Sequence, residues 1–175
     1  MRSRKRCPIS FWFRPPFGPQ EGAWIILKPM TKVIDSLIRP AKIEELELLA
    51  KLYSKQLSAT GFGSCSEPGK CDALISLVKS LCEEKKLWVI SDSIGPITLG
   101  HYEPDLAHVV AVVTRDDMER KGYGTRMLRA LTILDPLVKV CPVTSSGKAL
   151  ARKCGFSPRD EDDPFWFYST SSIKL

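Results

Sequence analysis

Gly122 and Gly124 flank a single tyrosine at the point where one structural pattern gives way to another. Before them runs Val109-Val-Ala-Val-Val-Thr114, β-branched and apolar, the composition of a buried strand. After them Met127, Leu128, Leu131 and Leu134 recur at helical spacing. The charged stretch Arg115-Asp-Asp-Met-Glu-Arg-Lys121 lies between. A strand, a glycine loop and a helix in direct succession leave the backbone bare where the helix begins. Consecutive N–H groups can then face an anion, and the helix dipole adds positive potential. The chemistry this spacing suits is phosphate binding. Two familiar cradles are excluded, because the chain has no G-x-x-x-x-G-K-[ST] loop and no third glycine to complete G-x-G-x-x-G.

The six residues Glu119-Arg120-Lys121-Gly122-Tyr123-Gly124 resemble the central motif of the GNAT superfamily of acyl-CoA N-acyltransferases, [Gln/Arg]-x-x-G-x-[Gly/Ala], which joins that family's fourth strand to its third helix. Upstream, Ile34-Asp-Ser-Leu-Ile-Arg-Pro-Ala-Lys-Ile-Glu-Glu-Leu46 is similar to the family's first strand and the opening of its first helix. Downstream, Gly147-Lys-Ala-Leu-Ala-Arg-Lys-Cys-Gly-Phe156 resembles the helix that closes the acceptor side, and Phe165-Trp-Phe-Tyr168 resembles the last strand. The resemblance spans about residues 33 to 170. It implies an α/β (α+β) GNAT fold, with a mixed central sheet splayed between strands 4 and 5 and helices on both faces. It also implies acetyl-CoA as cosubstrate. The pyrophosphate would lie on the loop formed by Glu119, Arg120, Lys121, Gly122, Tyr123, Gly124 and Thr125. The pantetheine arm would lie along the unpaired strand edge at Val112, Val113 and Thr114, with the Val112 amide polarising the thioester carbonyl. Glu119 departs from the motif, since a carboxylate beside a pyrophosphate is repulsive unless it turns away. Arg120 and Lys121 stand next to it and offset it.

Acyl transfer to an amine needs a base, because an alkylammonium of pKa ~10 has no lone pair. The histone-acetyltransferase branch of the family carries a strand-four glutamate eleven residues before the first motif position, and the same count from Glu119 lands on His108. Imidazole, with an ordinary pKa of ~6.5, is competent there near neutral pH. A lone histidine on an apolar strand equally fits a packed structural residue. Glu103, at the preceding turn, and His101, on the third strand, are the reserve candidates, acting through an ordered water. For the general acid, the family's tyrosine position falls on Ala151, its asparagine position on Thr144 and its small residue on Gly147. Ser145, Ser146 and Tyr168 remain as proton sources. Arg152 and Lys153 suit a solvated helix face or the 3′-phosphate of coenzyme A. The expected acceptor is amine-bearing: a protein, a peptide or a small molecule. The alternative is a coenzyme A-binding module with little or no turnover.

The remaining chain supplies elements to position these groups. Ile43, Leu46, Leu49, Ala50, Tyr53 and Leu57 predict a first helix over residues 42–57, with an apolar stripe that belongs to a core. A glycine- and serine-rich loop around Cys65 leads to a second helix over 71–84. In the GNAT family this helix–loop–helix covers the acceptor pocket. Leu87–Ser91 and Pro96–His101 read as a hairpin about Ser93-Ile-Gly95, and Glu103-Pro-Asp105 turns the chain into a strand over 107–114.

At 175 residues, with 43% hydrophobic and 26% charged, the composition suits one globular domain. No apolar run approaches the ~20 residues of a membrane span, so no membrane partner is expected. Six cysteines without a C-x-x-C pair, beside only two histidines, predict no metal site and reduced thiols in a cytoplasmic protein; Cys65 and Cys71 flank one loop and could bridge on oxidation. The net charge of +6 is uneven: residues 1–29 hold six basic side chains against Glu21 alone. That segment has four prolines by residue 19 and its apolar stretch is broken at Arg14, so it fits neither a helix nor an export signal. It reads as a flexible basic arm, with residues 30–175 as the acyltransferase domain and either Met1 or Met30 as the natural start. Its interleaved Arg4–Arg6 and Phe11-Trp-Phe13 suit nucleic acid as a docking partner.

Overall fold

The computed structural model describes residues 38–60 and 68–169. The basic arm, residues 34–37 of the expected first strand and the loop around Cys65 lie outside them. The described chain runs β1 (Arg39–Pro40), α1 (Leu46–Thr60), α2 (Pro68–Glu83), β2 (Leu87–Ser91), β3 (Pro96–Glu103), β4 (His108–Thr114), α3 (Tyr123–Leu134), β5 (Lys139–Val140), α4 (Ser145–Lys153), β6 (Phe156–Pro158) and β7 (Trp166–Tyr168). The strands form one seven-stranded sheet in the order β1-β2-β3-β4-β5-β7-β6. Only β4 and β5 are parallel, and the other neighbours are antiparallel.

Each face of the sheet has its own core. On one, Leu49, Leu52 and Tyr53 of α1 and Leu74, Val78 and Leu81 of α2 cover Leu87, Val89, Leu99, Ala111 and Val113. On the other, Met127, Leu128 and Leu131 of α3 and Ala151 of α4 cover Val109, Val140, Phe156 and Trp166. Burying both faces is what a mixed sheet between helices requires. Helix α3 lies close against β3: a Cβ built on Gly100 would stand 2.8 Å from the Met127 sulfur and 3.2 Å from Leu131.

The starts of α1, α2 and β4 differ from the sequence expectation, each for a local reason. Residues Ile43–Glu45 wind as a 3-10 turn before α1, held by Glu45, which accepts hydrogen bonds from the Lys42 N–H (3.1 Å) and the Arg39 guanidinium (2.5 and 2.8 Å). Helix α2 begins at Pro68 rather than at residue 71, since a proline's missing N–H costs nothing in a first turn. Strand β4 begins at His108 because Ala107 takes a left-handed φ of 47° to close the 3-10 turn Pro104–Leu106.

Strand β4 carries a bulge. His101 pairs with Ala111 but Tyr102 pairs with Val109, which leaves Val110 unopposed and 40% exposed. An extra residue bends its strand and shifts the alternation of its side chains. Beyond the bulge β4 leaves β5, to which it is paired only through His108↔Lys139 and Val109↔Val140.

Candidate cofactor cradle and active site

The bulge opens a free edge. The Arg115 N–H donates to the Ile97 carbonyl (2.8 Å), which fixes the antiparallel alternation: Val113, opposite Leu99, turns its polar backbone toward β3. Val112 and Thr114 therefore turn theirs toward the side that β5 has vacated. Val113 instead sits in the core below α1 and α2 at 5% exposure. Of the three residues expected along the pantetheine edge, the geometry brings Val112 and Thr114 to it and Val113 away from it.

This edge runs directly into the glycine loop. A 3-10 turn, Asp116–Met118, is followed by extended Glu119, then by Arg120 at φ 59° and Gly122 at φ 87°. Both lie in the left-handed region, which glycine adopts without cost and arginine seldom does. Helix α3 starts at Tyr123, and Gly122 offers no capping side chain. The Gly122 carbonyl serves the Arg126 N–H (3.0 Å), while the amides of Tyr123, Gly124 and Thr125 in the first turn precede any intrahelical acceptor. With exposed Arg120 and Lys121 alongside, these donors suit a pyrophosphate. It is Gly122, not Gly124, whose backbone conformation demands glycine. At Gly124 an added Cβ would make ordinary contacts, 3.6 Å from Leu150 and 3.8 Å from both Val112 and Thr114, so the residue lies between the free edge and α4 with room for little beyond a methyl group.

Glu119 turns away from this cradle. Its carboxylate lies 2.5 Å from the Lys55 ammonium on α1, which also contacts Asp116 (2.5 Å) and donates to the Thr114 carbonyl (2.9 Å). Burial works against the Lys55 charge, but the hydrogen bonds it donates to Asp116 and Glu119 outweigh it and hold the ammonium above its ordinary pKa.

Four polar residues gather near the other end of β4. Tyr53, 6% exposed, and His101, 5% exposed, meet in the core, with the phenol oxygen 2.8 Å from His101 Nδ1. Burial, reinforced by Glu103, pushes the Tyr53 phenol up to about 12, so Tyr53 keeps its proton. The Glu103 carboxylate can only accept, so His101 donates to it through Nε2–H (2.9 Å), the other Glu103 oxygen pairs with Lys86 (2.8 Å), and neutral His101 accepts the Tyr53 hydroxyl at Nδ1. Burial lowers the basicity of His101 despite that carboxylate. Burial also opposes the Glu103 charge, but the bonds from Lys86 and His101 win and keep the carboxyl below its usual range. Both reserve bases are thus already engaged.

His108 is different. It opens β4 opposite Glu103 and Lys139, with its ring edge-on to Phe165 (5.3 Å, 84°). Its Nε2 is buried and has no hydrogen-bond partner among the described residues. Burial first, then the Lys139 and His101 charges, push its pKa down to about 4. The ring is therefore neutral at pH 7, and in the Nδ1–H tautomer it presents an unused lone pair at Nε2. A buried polar atom without a partner is uncommon and calls for an explanation such as a bound group.

The general-acid positions lie on and beside α4 and on β7. Ala151 is core at 2% exposure, and Thr144 caps α4 by accepting the Gly147 N–H (3.0 Å). Ser146 bonds Thr144 (3.2 Å), Ser145 begins the helix, and Tyr168 packs on Phe156 (5.6 Å). Arg152 lies over the Trp166 ring (5.1 Å), and Lys153 is exposed. Sequence reasoning missed Lys55, Leu150 and Phe165, which nothing but the tertiary fold brings to β4. Among the described residues no cluster of histidine, cysteine and carboxylate side chains could hold a metal ion, and no helix is long and apolar enough to cross a membrane.

No protein-family model and no curated protein matches the sequence. Solved structures do match the fold. The PaiA N-acetyltransferase of Thermoplasma acidophilum, solved in complex with coenzyme A, superposes with a TM-score of 0.53 at 17% identity, covering 74% of this chain and 94% of that one. An N-acetyltransferase of Staphylococcus aureus Mu50 gives 0.52 at 14% identity, covering 74% and 96%, and the apo form of YjaB from Escherichia coli gives 0.51 at 20%, covering 74% and 91%. The chain has the fold of the GNAT acetyltransferases: a mixed α/β sheet, parallel at β4–β5, with helices on both faces.

Proposed function

We propose that this protein is an acetyl-CoA-dependent N-acetyltransferase acting on a primary amine of a protein, peptide or small molecule by direct attack in a ternary complex. The observation that carries this reading is the continuity of the β4 edge, vacated by β5, with the glycine loop and the open first turn of α3. That surface matches a ligand with an extended amide arm and a pyrophosphate. Acetyl-CoA supplies the thioester, and the chain supplies the rest. The amides at 122–125, with Arg120 and Lys121, hold the phosphates. Val112 and Thr114 hydrogen-bond the arm as an added strand would, and the Val112 N–H polarises the thioester carbonyl. The nitrogen, entering as a neutral amine, forms the new bond to carbon, the C–S bond breaks with its electron pair leaving on sulfur as the coenzyme A thiolate, and the nitrogen's proton passes to His108 Nε2. With a pKa of about 4, His108 is too weak to strip a free ammonium. It takes the proton as attack on the carbonyl acidifies the nitrogen.

A coenzyme A-binding module with little turnover is the second reading, favoured by a core alanine at 151, where the resemblance calls for tyrosine. Residues 30–175 form the functional domain in either reading, and the cytoplasm, where acetyl-CoA and reduced thiols are present, is its expected place.

Calorimetry tests the cradle. Gly124→Val puts methyl groups into the cleft between Val112, Thr114 and Leu150 without demanding a left-handed backbone, so the variant should fold. Its affinity for acetyl-CoA should fall by about tenfold to a hundredfold, the scale of losing hydrogen bonds to a charged group. Unchanged affinity would remove the cradle assignment. Acetyl-CoA consumption with a panel of amines then separates transfer from binding alone.

A further inference from the structure

We infer that Lys55 of α1 is a positioning residue for the phosphates of coenzyme A, acting by drawing the Glu119 carboxylate out of the cradle; this rests on the reading that the loop binds acetyl-CoA. Glu119 opens the loop segment that carries Arg120, Gly122 and the first turn of α3, so a free carboxylate there would repel a pyrophosphate and could compete for the same amides. Lys55 resolves that conflict from outside the loop. Its ammonium lies 2.5 Å from Glu119, 2.5 Å from Asp116 and 2.9 Å from the Thr114 carbonyl. Three points are thereby tied to α1: the last residue of the free edge, the turn after it and the first residue of the motif. The ammonium is one positive charge between two carboxylates, leaving Arg120 and Lys121 for the ligand. The same contact joins α1, which packs over the opposite core, to the cofactor loop, so the loop's shape depends on a helix that touches neither glycine.

An ion pair that merely steadied the fold would predict a loss of stability whatever neutralised it. The present reading predicts something narrower. Coenzyme A affinity, measured by calorimetry on the full chain at low ionic strength, should fall about tenfold in Lys55→Met, with melting temperature little changed because all three side chains are partly exposed. Adding Glu119→Gln to Lys55→Met should restore affinity to within about threefold of the parent, and Lys55→Arg should stay near it. Glu119→Gln alone should bind at least as tightly as the parent. If Lys55→Met binds normally, or the double variant stays as weak as the single one, the role assigned to Lys55 is wrong. Should Lys55→Met not fold, weakened binding in Glu119→Gln overturns the assignment by itself. If the unaltered protein does not bind coenzyme A, the reading of the loop fails first and the role of Lys55 falls with it.

Discussion

The two ends of β4 are built differently. At the Thr114 end the backbone provides what the proposed ligand needs: the polar groups of Val112 and the Thr114 N–H, then the open amides of the α3 first turn, with side chains acting mainly to keep the space clear or the charge balanced. At the His108 end the side chains matter, and most of them are already spent. Tyr53, His101, Glu103 and Lys86 bond one another in a closed chain, and only His108 Nε2 is left over. The bulge at Val110 separates the two regimes. Counting in steps of two from Val112 would put His108 on the α3 face. The extra residue sends Val109 there instead and turns His108 toward the face of α1 and α2, beside Glu103. One irregular residue thus divides the edge proposed for the cofactor from the side chains proposed for the chemistry.

The largest expected effect breaks this comparison at its reactive end. If His108 takes the amine proton, His108→Ala should lower turnover by roughly 10²–10⁴-fold while acetyl-CoA still binds, as steady-state kinetics beside calorimetry would show. Normal turnover would leave His108 a structural ring. The same residue gives a pH signature. Its folded pKa of about 4 lies below the ordinary 6.5, so the neutral ring favours the folded state. That contribution is complete above pH 6.5 and is lost as pH falls toward 4, each unit of depression being worth about 1.4 kcal/mol at most. Thermal melts between pH 7 and 4 should fall more steeply for the parent than for His108→Gln.

A smaller effect is expected at the cofactor end. Gly100→Ala places a methyl group 2.8 Å from the sulfur of fully buried Met127, which has nowhere to retreat. Overpacking of this kind costs about 1–3 kcal/mol, measurable by denaturant unfolding. It should also push α3 off β3 and weaken acetyl-CoA binding without altering the pH dependence of turnover, since His108 lies beyond the bulge. In a double-mutant cycle Met127→Ala should cost less in the Gly100→Ala chain than in the parent, because the two changes meet at one contact. Strictly additive costs would show that the helix is not held by this contact.

The glycine loop was legible in the sequence because the phosphate site proposed for it would constrain backbone, and backbone constraints appear as glycines at fixed spacing. The strand before the loop and the helix after it were equally plain from their periodicities. Which strand residues face the free edge was not, since Val112, Val113 and Thr114 look alike until the ladder register assigns them to sides. Tyr53 read correctly as part of a buried stripe, yet its hydroxyl bond to His101 depends on a contact between α1 and β3 that no local pattern encodes. Glu119 looked like a defect in the motif because its compensating Lys55 lies sixty-four positions earlier. The bulge has no sequence mark at all, for Val110 is one valine among several.

The smallest effect concerns residues 1–29, which lie outside the described residues and carry five of the six net positive charges. Their sequence has neither helical nor strand periodicity, and the resemblance to the acyltransferase family begins after them. A chain beginning at Met30 should therefore melt at the same temperature and bind acetyl-CoA equally well. It should differ only in long-range electrostatics, losing whatever salt-sensitive attraction to nucleic acid the intact chain has, because that attraction scales with the number of cations brought to phosphates. Titration against single-stranded nucleic acid at two salt concentrations measures this. If the shortened chain is clearly less stable, Phe11, Trp12, Phe13 or Trp24 must pack onto the domain, and the arm is part of the fold rather than an appendage to it.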